Sequence, residues 1–275
     1  MVKKSKFTLI AFVVVLVLAV SVLAAYFAGK SKDSGEVLKI GVTPVPHEEI
    51  IKYVEKEFEE KTGVDLQIVE FTDYVQPNLA LEDHSIDLNY FQHIPYLEKF
   101  CEEKNIKDLV SVFKVHVEPM GFYSKKSISE IKKGDVVVIP NDSTNGGRAL
   151  LLLAKNNLIK LDSSDITVSV KNIISNPYGI DFKELDAAFI PRTYKEDNSV
   201  TAAVINTNYA IEAELNPLND SVFIEDADSP YANIIVARED NKDDKNITEL
   251  INILKSDKVR DFINEKYNGS VVPVF

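Results

Sequence analysis

The amino-acid sequence predicts an α/β protein with two lobes. Short apolar segments of strand character alternate with segments whose apolar residues recur at helical spacing, and this alternation is typical of sheets with parallel strands. Two segments, LKIGVT at 38–43 and DVVVIP at 135–140, are apolar enough to be buried central strands. One central strand in each block predicts two lobes, the first formed by residues 37–118 plus 228–275 and the second by residues 119–227.

The first block opens with the strand at 38–43 and continues into a helix. Acidic residues near Glu48 suit the positive end of that helix, and apolar residues then follow at helical spacing. Gly63 stands where a glycine commonly ends a helix. The remaining elements are predicted in the order strand at 64–71, helix near 77–81, strand near 87–91, helix at 95–103 and strand at 109–117.

The second block is organised around the strand at 135–140. A short strand in MGFYS precedes it, and Gly146-Gly147-Arg148 leads from it into a helix with the sequence ALLLLAKNN. The patterns that follow predict strands at 166–170, 182–185 and 202–206, with helices near 191–195 and 209–215.

The last part of the chain supplies two strands and a long amphipathic segment. The strands are predicted at 222–225 and 233–238, and the second of them returns the chain to the first lobe. Helical periodicity then extends over 247–267, with a candidate break at Ser256-Asp257.

The first 36 residues are predicted to be a membrane-targeting segment rather than a part of the folded body. Three lysines precede an uncharged run at 7–29, whose 23 residues span about 34 Å as a helix, close to the bilayer core of about 30 Å. Lysines on the starting side keep that end in the cytoplasm and the body outside. We therefore expect an uncleaved helix at 7–27 that anchors an extracytoplasmic body, and a signal cleaved near 22–24 is the alternative.

Charge and composition exclude several classes of function. Beyond residue 36 the chain has 26 basic and 41 acidic side chains, a net charge of −15, which disfavours nucleic-acid binding. A single cysteine, Cys101, excludes a disulfide framework, and four scattered histidines do not predict a metal site. No catalytic or cofactor-binding fingerprint occurs, so we expect neither an enzyme nor a cofactor.

The segment between the strand at 135–140 and the following helix is a candidate anion site. In open α/β sheets, ligands bind at the carboxyl ends of strands, where helix N-terminal N–H groups favour a carboxylate or phosphate. Arg148 adds a guanidinium at this place, and it is one of only four arginines against 27 lysines. An ordinary helix cap with a surface arginine is the alternative interpretation.

Aromatic and amide side chains at other strand ends suggest a pocket. Tyr90 to Tyr96, YFQHIPY, lies between a strand and a helix, and Tyr74 follows another strand. These side chains could line an apolar pocket, with His93 as a hydrogen-bond donor, or could equally form a packed core. Asn206, Asn208 and Asn233 also lie near strand ends, where an amide can serve an ammonium or a carboxylate or simply a turn.

Six segments, taken in order, resemble one known family. They are FTDYVQPNLALEDHSIDLNYFQHIPYL, VEPMGFYSKK, VIPNDSTNGGRALLLL, AAVINTNYAIEAEL, DSPYANIIVARE and KYNGSVVPVF. Together they are similar to the NlpA-type methionine-binding lipoproteins, the substrate-binding components of D/L-methionine ABC importers, over about residues 38–275. The resemblance implies a type II periplasmic-binding-protein fold, in which two α/β lobes close over a ligand.

The resemblance also implies roles for individual residues. The carboxylate-binding arginine of the family corresponds to Arg148, and its lipobox cysteine has no counterpart, because Tyr26 follows LAA. We therefore expect no N-terminal lipidation. The implied ligand-binding residues are Tyr74, Phe91, His93, Tyr96, Arg148, Asn206, Asn208 and Asn233.

The resulting hypothesis is a binding protein that captures methionine outside the membrane and delivers it to an ABC permease by lobe closure. Aromatic walls suit the apolar and polarizable thioether, and Arg148 with the asparagines suits the zwitterion. Another amino acid or a methionine-containing dipeptide is the alternative ligand, and an exported enzyme is the alternative from another functional class.

Overall fold

Strands and helices alternate over most of the chain in the computed structural model, which describes residues 35–226 and 230–275. The predicted membrane helix at 7–27 lies outside these residues. The described strands are β1 Val37–Val42, β2 Asp65–Glu70, β3 Leu88–His93, β4 Leu109–Val117, β5 Gly121–Ser124, β6 Val136–Pro140, β7 Lys160–Leu161, β8 Ile173–Ser175, β9 Asp181–Leu185, β10 Val200–Ile205, β11 Phe223–Ile224, β12 Ala232–Arg238 and β13 Val272–Pro273.

The helices follow the predicted order. Apart from short helical turns, they are α1 Glu49–Thr62, α2 Gln76–Glu82, α3 Ile94–Lys104, α4 Ser143–Lys155, α5 Ile190–Glu196, α6 Thr207–Glu212, α7 Lys245–Leu254 and α8 Asp257–Tyr267. Gly63 caps α1 in the left-handed conformation with φ of 73°, and Ser256 separates α7 from α8, as the sequence predicted. Within the described part of the chain, no helix is both long enough and apolar enough to cross a membrane.

Two large sheets organise the compact unit Leu38–Phe275, which also contains a small sheet of β7 and β8. The first has the order β13-β4-β12-β3-β1-β2, and the second has the order β11-β5-β10-β6-β9. The two predicted central strands, β1 and β6, lie in different sheets. Strand β6 is almost entirely buried, and β1 is buried except at Val37 and Lys39. Their side chains pack against helices in separate apolar clusters, with Ile40 and Phe58 in one and Ile139 and Leu153 in the other.

Both sheets are mixed, so the prediction of parallel sheets was only partly right. The pairs β1–β3, β6–β9 and β6–β10 are parallel, whereas β12 runs antiparallel to β3 and β4, and β5 runs antiparallel to β10 and β11. The chain leaves the first sheet through β4 and returns through β12. Because the chain leaves the sheet along β4 and re-enters it along the neighbouring strand β12, these two strands run in opposite directions.

Two local predictions were wrong. Residues 166–170 do not form a strand, because Asp165 accepts hydrogen bonds from the backbone and hydroxyl of Thr167, and these local bonds replace a strand ladder. Helix α4 begins at Ser143, earlier than predicted, and therefore contains Gly146 and Gly147. Glycine is needed at 147, since a Cβ atom there would lie 1.8 Å from the carbonyl oxygen of Ile166.

Candidate functional site

One pocket brings together every residue that the sequence analysis selected. It lies between residues of the first sheet and residues of the second, and its cavity has a volume of about 20 Å³. This is room for about one water molecule, so the lining side chains lie close together and must separate to admit a larger ligand. Its lining includes Tyr74, Phe91, His93, Tyr96, Arg148, Asn206, Asn208 and Asn233.

The ends of strands position these side chains, as the sequence indicated. His93 is the last residue of β3, Asn206 directly follows β10, and Asn233 is the second residue of β12. The register of the first sheet pairs Asn233 with His93 on one side and with His116 on the other. The pocket therefore lies where strands of both sheets end and helices begin.

An aromatic cluster forms one wall of the pocket. The ring of Tyr74 lies 5.9 Å from the rings of Phe91 and Tyr96, and the ring of Tyr209 packs 4.9 Å from Tyr74 on another side. The Tyr96 hydroxyl donates to the carbonyl oxygen of Tyr74 at 2.9 Å, which fixes the two rings together. These mutual contacts keep the wall in place and present an apolar surface to the pocket.

Arg148 is buried, but it does not lie at a helix N-terminus as expected. It lies in the second turn of α4, and Asp142 caps the first turn by accepting from the backbone N–H of Asn145 at 2.8 Å. The protein's own carboxylate thus occupies the place predicted for a ligand anion. The cation at this site is the guanidinium itself.

The guanidinium of Arg148 is held along one edge. Its Nε and Nη2 atoms donate to Glu225 at 2.8 and 2.6 Å, and Nη2 also donates to the carbonyl oxygen of Glu118 at 2.7 Å. The ring of Tyr231 stacks 4.3 Å from its central carbon. Among the described residues, none accepts a hydrogen bond from Nη1, so that group is available for a ligand in the pocket.

In two asparagines, one amide atom is hydrogen-bonded within the protein, and the other amide atom has no partner among the described residues. The Nδ2 of Asn206 donates to Asn145 at 3.0 Å, and its buried Oδ1 has no hydrogen-bond partner among the described residues. The Oδ1 of Asn208 accepts from the Tyr74 hydroxyl at 2.6 Å, and its buried Nδ2 is the unpaired end. Unpaired buried polar atoms are rare, and these two therefore indicate a polar ligand.

Asn233 is fixed in a similar way. Its Oδ1 lies 3.1 Å from Nε2 of His47, and this contact orients the amide so that Nδ2 is the remaining donor. The pocket therefore offers donors on Arg148, Asn208 and Asn233 and an unpaired amide oxygen on Asn206. Three donors suit the two oxygens of a carboxylate, and an amide oxygen suits an ammonium group.

His93 is a neutral side chain in this pocket. Burial and the nearby charge of Arg148 lower the pKa of its imidazole from 6.5 to about 3. Its Nδ1 accepts from the backbone N–H of Tyr96 at 3.1 Å, so its proton is on Nε2, which lies 3.3 Å from the Oδ1 of Asn145. Both ring nitrogens thus have partners within the protein.

Four further residues line the pocket that the sequence analysis did not select individually: Gln92, Glu118, Asn145 and Thr207. Glu118 is the most informative of them, because it is a carboxylate that is only 5% exposed. It lies in the VEPMGFY segment, next to a predicted strand end. The strand-end criterion that selected the asparagines would also have selected Glu118, had acidic residues been considered.

Two histidines that are distant in the sequence meet at Glu118. Nε2 of His116 lies 2.7 Å and Nε2 of His47 lies 3.1 Å from the same oxygen, Oε1. Thr43 contacts the Nδ1 of His47, and Tyr90 contacts the Nδ1 of His116. The ligand atoms of these three residues are within 4.8 Å of one another, but each already has hydrogen-bond partners, so the arrangement suits a proton-sharing cluster better than a metal site.

Comparisons with known proteins identify the relatives of this chain. The NlpA lipoprotein family model matches residues 38–275. The D-methionine-binding lipoprotein MetQ of Salmonella typhi is 42% identical over 253 residues, which cover 91% of this chain and 93% of that protein.

Solved structures give the same result. A nutrient-binding protein of Burkholderia cenocepacia, determined with bound methionine, has a TM-score of 0.81 and 38% identity over 86% of this chain and all of that chain. An ABC transporter periplasmic substrate-binding protein of Coxiella burnetii has a TM-score of 0.80 and 37% identity, again over 86% of this chain and all of that chain. These similarities confirm the predicted α/β periplasmic-binding-protein fold. The chain belongs to the NlpA lipoprotein family.

Proposed function

We propose that this protein captures methionine in the pocket and delivers it to the permease of an ABC importer. The observation that carries the proposal is the set of unpaired polar atoms beside an aromatic wall. The donors of Arg148, Asn208 and Asn233 bind the carboxylate, and the Oδ1 of Asn206 accepts from the ammonium group. The methionine bound by the relative from Burkholderia cenocepacia supports this choice of ligand.

The aromatic wall binds the side chain of the ligand. The rings of Tyr74, Phe91 and Tyr96 are close enough to enclose a linear apolar chain, and a thioether makes favourable contacts with aromatic rings. Burial of the longer side chain of methionine contributes about 1.5–3 kcal/mol more than that of alanine. Lysine should bind more weakly than methionine, because its side-chain ammonium group would lose its hydration against this wall and the three rings offer no anionic partner.

Binding is coupled to the movement of two lobes, 37–118 plus 228–275 and 119–227. Each lobe contains one of the two sheets, and pocket residues come from both: Phe91 and Asn233 from the first, Arg148 and Asn208 from the second. A ligand that contacts both lobes stabilises the closed state over the open one. Small-angle scattering with and without methionine tests this step, and an unchanged radius of gyration would contradict it.

The protein acts by binding rather than by catalysis. In the pocket, His93 has both ring nitrogens in hydrogen bonds to other protein groups, so it is poorly placed as a general base. The family of relatives named as binding proteins supports the same conclusion.

An N-terminal helix at 7–27 holds the body on the outer side of the membrane. Homologues are named as lipoproteins, but this sequence has one cysteine, Cys101, and it lies in α3 of the body. The apolar run therefore serves as the anchor in place of an attached lipid. N-terminal sequencing of protein from its native membrane tests this, and a mature chain beginning near Ala25 would refute the anchor.

A competition series tests the ligand. The body, expressed from Val37, is loaded with labelled methionine, which is then displaced by unlabelled methionine, alanine, glutamine, lysine or the dipeptide Gly-Met. We expect methionine to compete about 10- to 150-fold better than alanine, as the difference in buried apolar area predicts. Native mass spectrometry of the purified body identifies any ligand that is already bound.

The alternatives correspond to different outcomes of the same series. Tenfold stronger competition by glutamine or by Gly-Met would favour another amino acid or a dipeptide as the ligand. Failure of all five ligands to bind would contradict a binding protein for methionine and would favour the exported enzyme.

A further inference from the structure

We propose that Glu118 recognises the α-ammonium group of the ligand, so that the pocket selects amino acids whose α-amino group is free. The inference rests on the proposed function and names the residue for the second charged end of the zwitterion. Glu118 lies between β4 and β5, where the chain passes from the first sheet to the second, and it lines the pocket.

The hydrogen bonds of Glu118 leave room for one more donor. Oε1 accepts from the Nε2 of His116 at 2.7 Å and contacts the Nε2 of His47 at 3.1 Å, and Oε2 accepts from the backbone N–H of Asn208 at 2.9 Å. An ionised carboxylate has about four acceptor positions, of which these three contacts occupy three. The fourth is free for a donor in the pocket that Glu118 lines.

The charge of Glu118 also lacks a lysine or arginine partner. Among the described residues, its ion-pair contacts are to the two histidines alone. The nearest cation of the pocket, Arg148, donates its Nε and Nη2 side-chain hydrogen bonds to Glu225, and reaches only the backbone carbonyl of Glu118. A buried carboxylate without a full positive partner favours the binding of a cation, because an uncompensated buried charge is costly.

The carboxylate is ionised, and its field reaches the pocket walls. Burial alone would raise the pKa of Glu118, but interactions with His47 and His116 hold it well below its usual range. Burial and Tyr209 raise the pKa of Tyr74, and the charge of Glu118 raises it further. Burial and Arg148 lower the pKa of His93, and the charge of Glu118 partly offsets that decrease. The charge of Glu118 therefore acts on side chains on both sides of the pocket.

A second acceptor completes the ammonium site. The Oδ1 of Asn206 is buried and without a partner in the same pocket. An ammonium group has three donors, and an anionic and a neutral acceptor from the protein can bind two of them. Arg148 and Glu118 then form the positive and negative ends of a site that matches a zwitterion.

The substrate class follows from this arrangement. A free α-amino acid brings the ammonium group that Glu118 requires. A ligand whose methionine nitrogen is acylated, as in Gly-Met or N-acetylmethionine, brings a neutral amide instead. The pocket therefore takes free amino acids and discriminates against dipeptides that end in methionine.

A cycle of one ligand change and one residue change tests the proposal. Calorimetry measures the affinities of methionine and of 4-(methylthio)butanoic acid, which lacks the amino group, for the wild-type body and for Glu118→Gln. We expect the wild type to prefer methionine about 30-fold or more, as for a desolvated charge pair that loses one partner. In Glu118→Gln the preference should shrink by about tenfold or more, because the amide is neutral.

Glu225→Gln is the matched control, since Glu225 supports the arginine at the other end of the ligand. It should weaken both ligands by a similar factor and leave their ratio unchanged. Equal weakening of both ligands by Glu118→Gln would show that Glu118 has only a structural role.

If Glu118→Gln does not fold, the affinities of the wild type for the two ligands still test the proposal. Affinities within threefold for the two ligands would overturn the ammonium assignment while leaving methionine binding intact. If neither ligand binds to the wild type, the proposed function itself is contradicted.

Discussion

Arg148→Ala should reduce both the stability and the affinity of this protein, for different reasons. The side chain of Glu225, which is 12% exposed, pairs with Arg148 and otherwise accepts a hydrogen bond from the backbone N–H of Met120 at 2.9 Å. Breaking such a buried pair by removing one partner costs about 3–5 kcal/mol. For a compact unit of this size, about 1 kcal/mol corresponds to a shift of about 2–4 °C in Tm, so we expect Tm to fall by about 6–20 °C.

The affinity for methionine should fall by about 30-fold to several thousand-fold in the same variant. This range corresponds to about 2–5 kcal/mol for truncating one member of a desolvated charge pair. Calorimetric titration with methionine, at a temperature where the variant is folded, measures the loss. A loss below threefold would show that Arg148 does not contact the ligand.

The double variant Arg148→Met/Glu225→Gln separates the two effects. It removes both charges together and fills similar volumes, so it should recover much of the stability that Arg148→Ala loses. It should not recover methionine binding, because the cation remains absent. A double variant that is as unstable as Arg148→Ala would refute the reasoning about an isolated Glu225 carboxylate. Recovered binding would refute the carboxylate-binding role of Arg148.

Three further predictions concern individual side chains. The pKa of His93 is about 3 in the folded protein and 6.5 in the unfolded chain. Between pH 6.5 and pH 3, the imidazole therefore binds a proton in the unfolded state but not in the folded state. Stability should therefore fall as the pH is lowered from 6.5 toward 3, by up to about 1.4 kcal/mol per pH unit from this group. His93→Gln should make the pH dependence shallower in urea titrations at pH 7 and pH 5, and an identical dependence would contradict this. Tyr74→Phe removes the hydroxyl that orients the Asn208 amide at 2.6 Å, and calorimetry should show an affinity about 2- to 10-fold lower, whereas an unchanged affinity would show that the amide needs no support. Gly147→Ala should destabilise the protein by about 1–3 kcal/mol or more, because a Cβ atom would lie 1.8 Å from the Ile166 carbonyl oxygen, and an unchanged urea midpoint would disprove that clash.

Most elements of the fold could be predicted from local patterns. The apolar strands β1 and β6 and the glycine cap at Gly63 are each specified by a few neighbouring residues. The break between α7 and α8 is of the same kind, since Ser256 favours the cap position over a helix interior. Where the local conformational preference of a segment and its burial pattern agree, the sequence is sufficient to predict the element.

The errors arose where a distant contact or a local hydrogen bond outweighed periodicity. Gly146 and Gly147 suggested a loop before α4, yet they lie inside the helix, because only glycine tolerates the close approach of the Pro140 and Ile166 carbonyl oxygens. The direction of β12 depends on where the chain crosses between the sheets, and no local pattern records that.

The sequence by itself determined which eight residues meet in the pocket, because strand ends and the family motifs mark them without knowledge of their neighbours. Only the tertiary structure decided what each side chain can do there. It joins Arg148 to Glu225 across 77 positions, and it brings His47 and His116 to one oxygen of Glu118. Local periodicity specifies which face of an element is buried, whereas the partner of a buried charge depends on how distant elements pack together.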